Sequence, residues 1–209
     1  MPDRGLSIRQ RSVKRCVDVV VAAAGLVVFS PVLAVALAAA RLDTGQSGLF
    51  TQQRVGRHGK LFSVHKIRTM RPLDGHASTV TASNDARITR LGAVLRKTKI
   101  DELPQLFDVL VGTMSLVGPR PDVPGYADVL TGDDRLMLTV RPGITGPAAL
   151  AYRHEEELLA AADDPVVYND TVIWPDKVKI NCDYVRQYSL RGDLQIIRDT
   201  LATTLVSTK

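Results

Sequence analysis

Cysteine is scarce in this sequence, and so are aromatic residues and the common nucleotide-binding loops. Cys16 and Cys182 stand far apart with no CxxC spacing, which excludes a disulfide framework and a cysteine-built zinc site and favours a reducing compartment. Aromatic residues make up 5% of the chain, too few for the stacking surface of a nucleic-acid binder. Neither a Walker-type loop nor a GxGxxG fingerprint occurs, so a nucleotide would have to be held by arginines and a metal ion.

The chain is long enough for one domain with a short appendage, and its charge is unevenly distributed. Its 209 residues are 45% hydrophobic, which supports a packed core. Residues 1–71 carry 12 Lys/Arg and 3 Asp/Glu, a net charge of +9, whereas residues 72–209 carry 15 and 19, a net charge of −4. The basic third is therefore expected to face something anionic, either nucleic acid or a phospholipid surface.

One long apolar run favours the phospholipid surface. Twenty of the 24 residues at positions 17–40 are apolar. A helix of that length would span about 36 Å, against a hydrocarbon core of about 30 Å. Basic residues crowd both flanks of the run: Arg9, Arg11, Lys14 and Arg15 before it, and Arg41, Arg54, Arg57 and Lys60 after it.

The basic flanks predict how the run meets the membrane. The positive-inside rule places both flanks in the cytoplasm, which a straight spanning helix cannot achieve. Pro31 removes a backbone hydrogen bond and Ser30 can satisfy a freed carbonyl, so we expect the helix to break at Ser30–Pro31 and return to the face it entered. A straight span with a mild kink and the core helix of a soluble protein are the alternatives. The chain then divides into a basic leader at 1–16, a re-entrant membrane helix at 17–40 and a cytoplasmic catalytic domain at 41–209.

Beyond the apolar run, the sequence predicts an α+β fold, predominantly helical, whose domain lies on the membrane face. Gly56 and Gly59 separate two alternating runs within residues 49–70, which indicates a hairpin or a loop along the headgroups. Helices are expected over 87–99, over 152–162 and from 176 to the C-terminus, with a polar, mobile loop over 72–86.

The adjacent carboxylates Asp101 and Glu102 stand between a basic helix and an apolar one. Either they cap the second helix, where negative charge suits the helix dipole, or they divide the roles of nucleophile and metal ligand. Arg96 lies shortly before them, and the prolines of 118-GPRP-121 restrict Arg120 in a way that suits bidentate phosphate recognition.

Several motifs occur in order along nearly the whole chain, from about residue 14 to residue 200. They are KRCVD at 14–18, Ser30–Pro31, QQRVGRHGKLFSVHKIRTM at 52–70, LRKTKIDELPQLFDVLVGTMSLVGPRP at 95–121 and RPGITG at 141–146. With this set and spacing, the chain resembles the bacterial sugar transferase family, the monotopic phosphoglycosyl transferases that start glycoconjugate assembly.

The resemblance implies transfer of a sugar 1-phosphate from a UDP-sugar to a polyprenyl phosphate, typically undecaprenyl phosphate, with Mg²⁺ and release of UMP. It also implies a bacterial inner-membrane protein on the cytoplasmic face, in contact with membrane lipids. It leaves open which UDP-sugar is used and whether the chain forms a homodimer.

The resemblance also implies residue roles. Asp101 matches the nucleophile that forms a phosphosugar–aspartyl intermediate, and Glu102 matches its partner in metal binding or proton handling, so both are expected at the metal. Ser30 and Pro31 match the break that makes the membrane helix re-entrant. The cations expected to bind the substrate phosphates are Lys66, Arg68, Arg96, Arg120 and Arg141.

The chain departs from the family's pattern at a few positions. Asp108 and Thr113 replace a common Asn and a common Asp, which we interpret as supporting positions, and Asn181 replaces an aspartate near the C-terminus, with Asp183 close by. The region 147–165 lacks the W-x-Q-V-N-G-R-like stretch of members that use some amino sugars, and we expect it to contribute to sugar choice. A membrane-anchored lipid-binding scaffold without catalysis is the alternative function, and a transferase that moves the sugar without its phosphate is a second.

Overall fold

The computed structural model describes residues 5–71 and 87–206, and its first element is the helix α1, Ile8–Thr44. Ser7 caps it: the Ser7 hydroxyl accepts from the Gln10 amide, and the Gln10 side chain accepts from the Ser7 amide at 2.8 Å. This capping box starts the helix well before the apolar run, so much of the basic leader is helical. Gly45, with φ of 71°, ends the helix in the left-handed conformation that glycine favours.

Helical structure continues through Ser30 and Pro31, so the break expected at these residues does not end the helix. Pro31 has no amide hydrogen to donate to Val27, four residues earlier. The Ser30 hydroxyl donates to that Val27 carbonyl instead, at 2.8 Å, as expected for a serine beside a helical proline. The lost backbone bond is thus replaced locally, and helical structure persists on both sides.

Both halves of α1 pack against the same folded body. In the first half, Arg15 donates to the carbonyls of Val109 and Leu110 at 2.5 and 2.8 Å. In the second half, Ala36 and Ala40 are buried in a cluster with residues of other elements, namely Ile67, Leu91, Leu95 and Ile100. Between the two halves, every residue from 27 to 32 is exposed.

A β-hairpin follows α1, as the glycine spacing predicts. β1, Leu49–Val55, pairs antiparallel with β2, Leu61–Ile67, and Gly56 and Gly59 lie in the turn between them. A second small sheet joins β3, Ser115–Val117, in parallel to β4, Gly143–Thr145. The loop expected over 72–86 lies outside the described residues.

Helices make up most of the remaining described structure, which confirms the predominantly helical α+β class. The helix predicted over 87–99 forms as α2, Arg90–Lys97, and the apolar helix after the carboxylates forms as α3, Gln105–Val111. The helix expected over 152–162 forms as a shorter one, Glu155–Ala160. The later helices are α4, Pro147–Ala151; α5, Glu155–Ala160; α6, Pro165–Tyr168; α7, Trp174–Arg186; and α8, Leu190–Val206.

A buried ionic network ties α8 to the start of α1. Lys14 donates to Asp193 at 2.6 Å, and the Tyr184 hydroxyl donates to the other oxygen of Asp193 at 2.7 Å. Lys14 and Asp193 are both buried, so each charge has a partner where water does not reach. The C-terminal helix is therefore held on the same body that carries the carboxylate pair.

Candidate active site

The two carboxylates lie on a 3₁₀ turn, Ile100–Glu102, between α2 and α3. Lys99 precedes the turn with φ of 58°, a left-handed conformation that is uncommon outside glycine and reverses the chain after α2. Asp101 and Glu102 are 6% and 9% exposed. The first residue before α3 is Pro104, and neither carboxylate caps that helix, so the capping interpretation is wrong.

Glu102 is held by two of the predicted cations. The Arg120 guanidinium donates to Glu102 Oε1 at 2.5 Å, and Lys66 Nζ donates to the same oxygen at 3.3 Å. Burial opposes the ionised form, but Arg120 and then Lys66 outweigh it, so the pKa of Glu102 lies well below its usual range. Glu102 in turn holds the pKa of Arg120 above its ordinary value.

Asp101 is in a different state from its neighbour. Its Oδ1 atom is buried and has no hydrogen-bond partner within the described ranges. Burial, and next the charge of Glu102, raise the pKa of Asp101, while Lys66, Lys99 and Arg96 oppose the rise. This oxygen therefore has capacity for one more bond, to an electrophile or to a cation.

Lys66 reaches Glu102 because a side chain of α3 holds the strand β2, on which Lys66 lies. Asp108, 1% exposed, accepts from the His65 backbone amide at 3.0 Å and contacts His65 Nδ1 at 2.6 Å. The two contacts clamp β2 immediately beside Lys66. Asp108 therefore supports the position of Lys66, in line with its interpretation from the sequence as a supporting residue.

Arg120 is positioned by a backbone-to-backbone contact between two motifs. The Gly118 amide donates to Thr145 O at 2.9 Å, and the Gly143 amide donates to Pro119 O at 2.9 Å. A Cβ atom on Gly146 would lie 2.0 Å from the carbonyl oxygen of Gly118, so only glycine permits the approach. The GPRP and RPGITG motifs thus form one seam, called here the glycine seam (118–119 with 143–146), which carries Arg120.

The structure brings some of the predicted cations to the turn and places others elsewhere. Lys66 and Arg120 bond Glu102, and Arg96 acts on Asp101. Arg68 donates to Ser47 O at 2.7 Å, and Arg141 donates to Gly112 O at 2.7 Å. These last two side chains therefore bond backbone carbonyls of neighbouring loops.

Three further charged residues join the site without having been singled out for it. Lys99 acts on both carboxylates, and Arg54 carries charge next to Arg120 and Glu102 while donating to Pro121 O at 3.4 Å. Asp122 faces Arg54 and Arg120. Their signal in the sequence is proximity to the motifs: Lys99 stands just before the pair, and Asp122 just after GPRP.

The arrangement defines a class of site: a buried carboxylate pair surrounded by arginines and lysines, suited to an anionic substrate such as a phosphate ester. The site lies in a body anchored on a helix, α1, that is long and apolar enough to cross a membrane by length and composition. Within the described residues, no group of three or more His, Cys, Asp or Glu side chains lies close enough together to hold a metal ion.

The chain belongs to the bacterial sugar transferase family, whose family model matches residues 9–207. It is 35% identical over 198 residues to a UDP-glucose:undecaprenyl-phosphate glucose-1-phosphate transferase of Caulobacter vibrioides, covering 93% of this chain and 70% of that protein. A protein of the same name from Escherichia coli K12 is 34% identical over 201 residues, covering 93% of this chain and 40% of the relative.

A third relative carries a different sugar in its name. It is the UDP-N-acetylgalactosamine-undecaprenyl-phosphate N-acetylgalactosaminephosphotransferase of Aeromonas hydrophila, 33% identical over 199 residues, which cover 92% of this chain and 44% of the relative. The chain thus spans less than half the length of the Aeromonas and Escherichia proteins.

Proposed function

We propose that the protein transfers a sugar 1-phosphate from a UDP-sugar to a polyprenyl phosphate such as undecaprenyl phosphate, releasing UMP, and so initiates the assembly of a glycoconjugate or polysaccharide. The observation that carries the proposal is the buried, unpartnered Asp101 Oδ1 beside the Glu102–Arg120–Lys66 group. Family membership and the names of the relatives support the same reaction.

In the proposed first step, Asp101 Oδ1 attacks the sugar-bearing phosphorus of the UDP-sugar. A new O–P bond forms, the P–O bond to UMP breaks, and its electron pair leaves on the UMP oxygen. In the second step an oxygen of the lipid phosphate attacks the same phosphorus and Asp101 leaves. Arg120 and Lys66 neutralise the phosphate oxygens, which otherwise repel an anionic nucleophile.

Mg²⁺ fits the donor set of this site. Magnesium in phosphate-transfer sites is held by one or two carboxylates together with substrate phosphates and waters, so a third protein carboxylate is not required. Asp101 has a second carboxylate oxygen, Oδ2, besides the nucleophilic Oδ1, and Glu102 is ionised. We assign Asp101 and Glu102 as the residues that would hold it, where it would supply positive charge to the diphosphate and the leaving UMP.

We further propose that α1 inserts as a re-entrant anchor with both ends in the cytoplasm, at the inner membrane. The continuously exposed part of α1 is short, residues 27–32, and contains Pro31. Only 11% of the most apolar 18-residue window of α1 is buried, so the apolar surface around Pro31 is available to lipid. Packing of both halves of the helix on one body favours the same geometry.

UMP release tests the reaction. Purified protein in lipid nanodiscs is mixed with a panel of UDP-sugars and Mg²⁺, without lipid acceptor. We expect a burst of UMP no larger than the enzyme concentration, and continued turnover once undecaprenyl phosphate is added. Release of UDP instead would identify a transferase that moves the sugar alone, and no transfer of radiolabel into organic solvent would favour the lipid-binding scaffold.

Cysteine labelling tests the topology. Single cysteines replace Gly5 and Gly45, at the two ends of α1, in a Cys16→Ser background because Cys16 is exposed. Both are expected to react only with reagent on the cytoplasmic side. Replacing Ser30 and Pro31 together by Leu removes the proline and is expected to move the N-terminus across the membrane, whereas an N-terminus labelled from the periplasm in the unaltered helix would contradict the re-entrant anchor.

A further inference from the structure

The charged surface of the active site extends beyond Arg120 toward α7. Asp122 lies two residues after Arg120, and the cation that most favours its ionised form is Lys177 of α7, followed by Arg54 and Arg120. Glu155 of α5 also acts on Asp122, with the opposite sign. Negative and positive groups thus alternate from the 3₁₀ turn Ile100–Glu102, called here the reactive turn, to α5 and α7.

Main-chain contacts fix the position of Asp122. The Val55 amide donates to the Asp122 backbone carbonyl at 2.9 Å, and Arg54 donates to Pro121 O at 3.4 Å. Both contacts come from the end of β1. The loop that carries Asp122 is thereby attached to the hairpin that carries Lys66, so the carboxylate keeps its place relative to the reactive turn.

The Asp122 carboxylate has no hydrogen bond or close ion pair to any residue in the described part of the chain, although it is half-buried. Burial raises the pKa of Asp122 to about 6, despite the nearby cations. A half-buried carboxylate with no donor from the protein has acceptor capacity left for water or for a hydroxyl group of a ligand.

Lys177 is held in place on the far side of this region. Its Nζ lies 2.6 Å from both carboxylate oxygens of Glu155 and 5.7 Å from the centre of the Tyr152 ring. The Tyr152 hydroxyl donates to Asp176 at 2.7 Å. A fixed ammonium, a carboxylate and an aromatic face therefore stand together near the unpartnered Asp122.

We propose that Asp122, together with Lys177 and Glu155, recognises hydroxyl groups of the UDP-sugar. Hydroxyls both donate and accept hydrogen bonds, so they match a surface that alternates carboxylate and ammonium groups. With the diphosphate bound at Arg120, the neighbouring part of the substrate reaches this surface. The inference rests on the proposed function, and it places part of the substrate recognition on α5 and α7.

Hydroxyls are present at both ends of a UDP-sugar, on the transferred sugar and on the ribose of UMP. The sugar and the ribose offer the same hydroxyl groups, but after the first step the sugar stays on the enzyme and the ribose leaves with UMP. A contact with the sugar changes the preference among UDP-sugars. A contact with the ribose changes the affinity for UMP by the same factor for every sugar.

The test compares Asp122→Asn with wild type for UMP release from UDP-glucose and UDP-galactose. The amide keeps the size and loses the charged acceptor, so we expect KM to rise about 10-fold or more, with kcat changing less than KM. Glu155→Gln, on a more exposed residue, is expected to change KM in the same direction by a smaller factor. Asp199→Asn, which removes a carboxylate paired with Arg198 on α8, is the matched control and is expected to leave KM unchanged.

The pattern of changes identifies the hydroxyl source. A changed kcat/KM ratio between the two UDP-sugars with unchanged UMP inhibition assigns the contact to the sugar. Weaker UMP inhibition with an unchanged ratio assigns it to the ribose. If Asp122→Asn and Glu155→Gln match wild type in KM, in that ratio and in UMP inhibition, the inference is overturned while the transferase function stands.

Calorimetric titration with UMP and with UDP-glucose separates this inference from the proposed function. If wild type releases no UMP from any UDP-sugar, the proposed function fails. Weaker binding of either compound to Asp122→Asn then still supports the recognition surface, and equal or absent binding in both proteins overturns it.

Discussion

Two regions of this molecule bury carboxylates, and they treat them differently. At the start of α1, Asp18 accepts from the Leu116 amide at 3.0 Å and from the Ser115 hydroxyl at 2.8 Å, so both of its oxygens are bonded. Asp193, close by, is bonded through both oxygens as well. At the reactive turn, Asp101 is buried to a similar degree but leaves Oδ1 without a partner.

The difference separates structural carboxylates from reactive ones. A buried polar atom without a partner costs about 1–3 kcal/mol, so such an atom is expected where a ligand can supply the missing bond. Asp43 Oδ2 is also buried without a partner, but Asp43 lies at the end of α1 and is less buried than Asp101. Asp18 and Asp193 therefore stabilise the body of the protein, whereas Asp101 fits the role of nucleophile proposed above.

The largest expected effect comes from Asp101→Asn. Without the nucleophile, turnover should fall by about 10⁴-fold or more, and the UMP burst should disappear. Because burial raises the pKa of Asp101, the ionised carboxylate is less favourable in the folded chain than in the unfolded one, so its amide should match or exceed the wild-type melting temperature at pH 7.5. Rapid-quench measurement of UMP and thermal denaturation in the same detergent check the two halves of this prediction.

Asp18→Asn is the matched control for that variant. The amide oxygen can still accept from the Leu116 amide, but the nitrogen cannot accept from the Ser115 hydroxyl, and both bonds lose the negative charge of the acceptor. The melting temperature should therefore fall while the activity of the remaining folded protein persists. A stable, active Asp101→Asn protein, or mass spectrometry showing unmodified Asp101 while UMP is released, would contradict the assignment of the nucleophile.

A smaller loss of activity is expected for Arg120→Ala. Removing one charge-stabilising donor costs about 10²-fold in turnover, and Arg120→Lys should recover little because a point charge does not replace the planar guanidinium. Arg68→Ala should cost far less, since Arg68 bonds Ser47 O rather than Glu102. Steady-state rates on membrane-bound protein compare the three variants, and equal losses at Arg68 and Arg120 would mean that Arg68 also binds substrate.

Asp193→Ala should act on stability rather than chemistry. It leaves Lys14 buried without its ion-pair partner, a change that costs about 3–5 kcal/mol in buried pairs. We expect a lower melting temperature and loss of α8 protection in hydrogen exchange. Lys14→Met with Asp193→Leu, which removes both charges, should recover much of the loss. An Asp193→Ala protein that is as stable as wild type would show that this network is not what holds α8.

The smallest expected effect tests whether Asp122 belongs with the incomplete carboxylates. The charged groups that act on the Asp122 carboxylate are Lys177, Arg54, Arg120 and Glu155. A carboxyl whose folded pKa is raised to about 6 contributes stability below about pH 4 and loses it as the pH rises through about 6. Asp122→Asn should therefore gain melting temperature over wild type at pH 8 but not at pH 4.

Solvent reaches part of Asp122, so we expect this gain to be modest, about 2–4 °C, which corresponds to roughly 1 kcal/mol in a chain of this size. Thermal denaturation at the two pH values measures it, with Asp199→Asn as control. A gain that is the same at pH 4 and pH 8 would mean that ionisation of Asp122 has no part in it.

The sequence predicts the elements of this protein better than it predicts where side chains point. Lys66 and Arg68 share one motif, and alternation along a strand would put both on one face. The strand ends at Ile67, however, so Arg68 turns toward the loop after α1 while Lys66 reaches Glu102. A strand ends where its pairing with the neighbouring strand ends, and the spacing of residues within one motif does not specify that point.

The start of α1 and the role of Arg141 show the same limit. Ser7 and Gln10 form a capping box that can be found in the sequence. The residues around it are polar, so hydrophobic periodicity does not indicate that the helix begins there. Arg141 opens a motif that joins the site, yet its own side chain donates to Gly112 O. Motif membership predicts that a segment is near the site, and it does not assign a function to each residue in the segment.

The glycine seam has a consequence for how such a protein can diversify. Its contacts run between main-chain atoms, so the position of Arg120 does not depend on which side chains surround the seam. The segment that leaves the seam at Gly146, and that leads to Lys177, is then free to exchange its sequence without displacing the reactive centre. A chimaera that takes its residues 147–165 from a relative should retain phosphate chemistry and alter only the choice of donor.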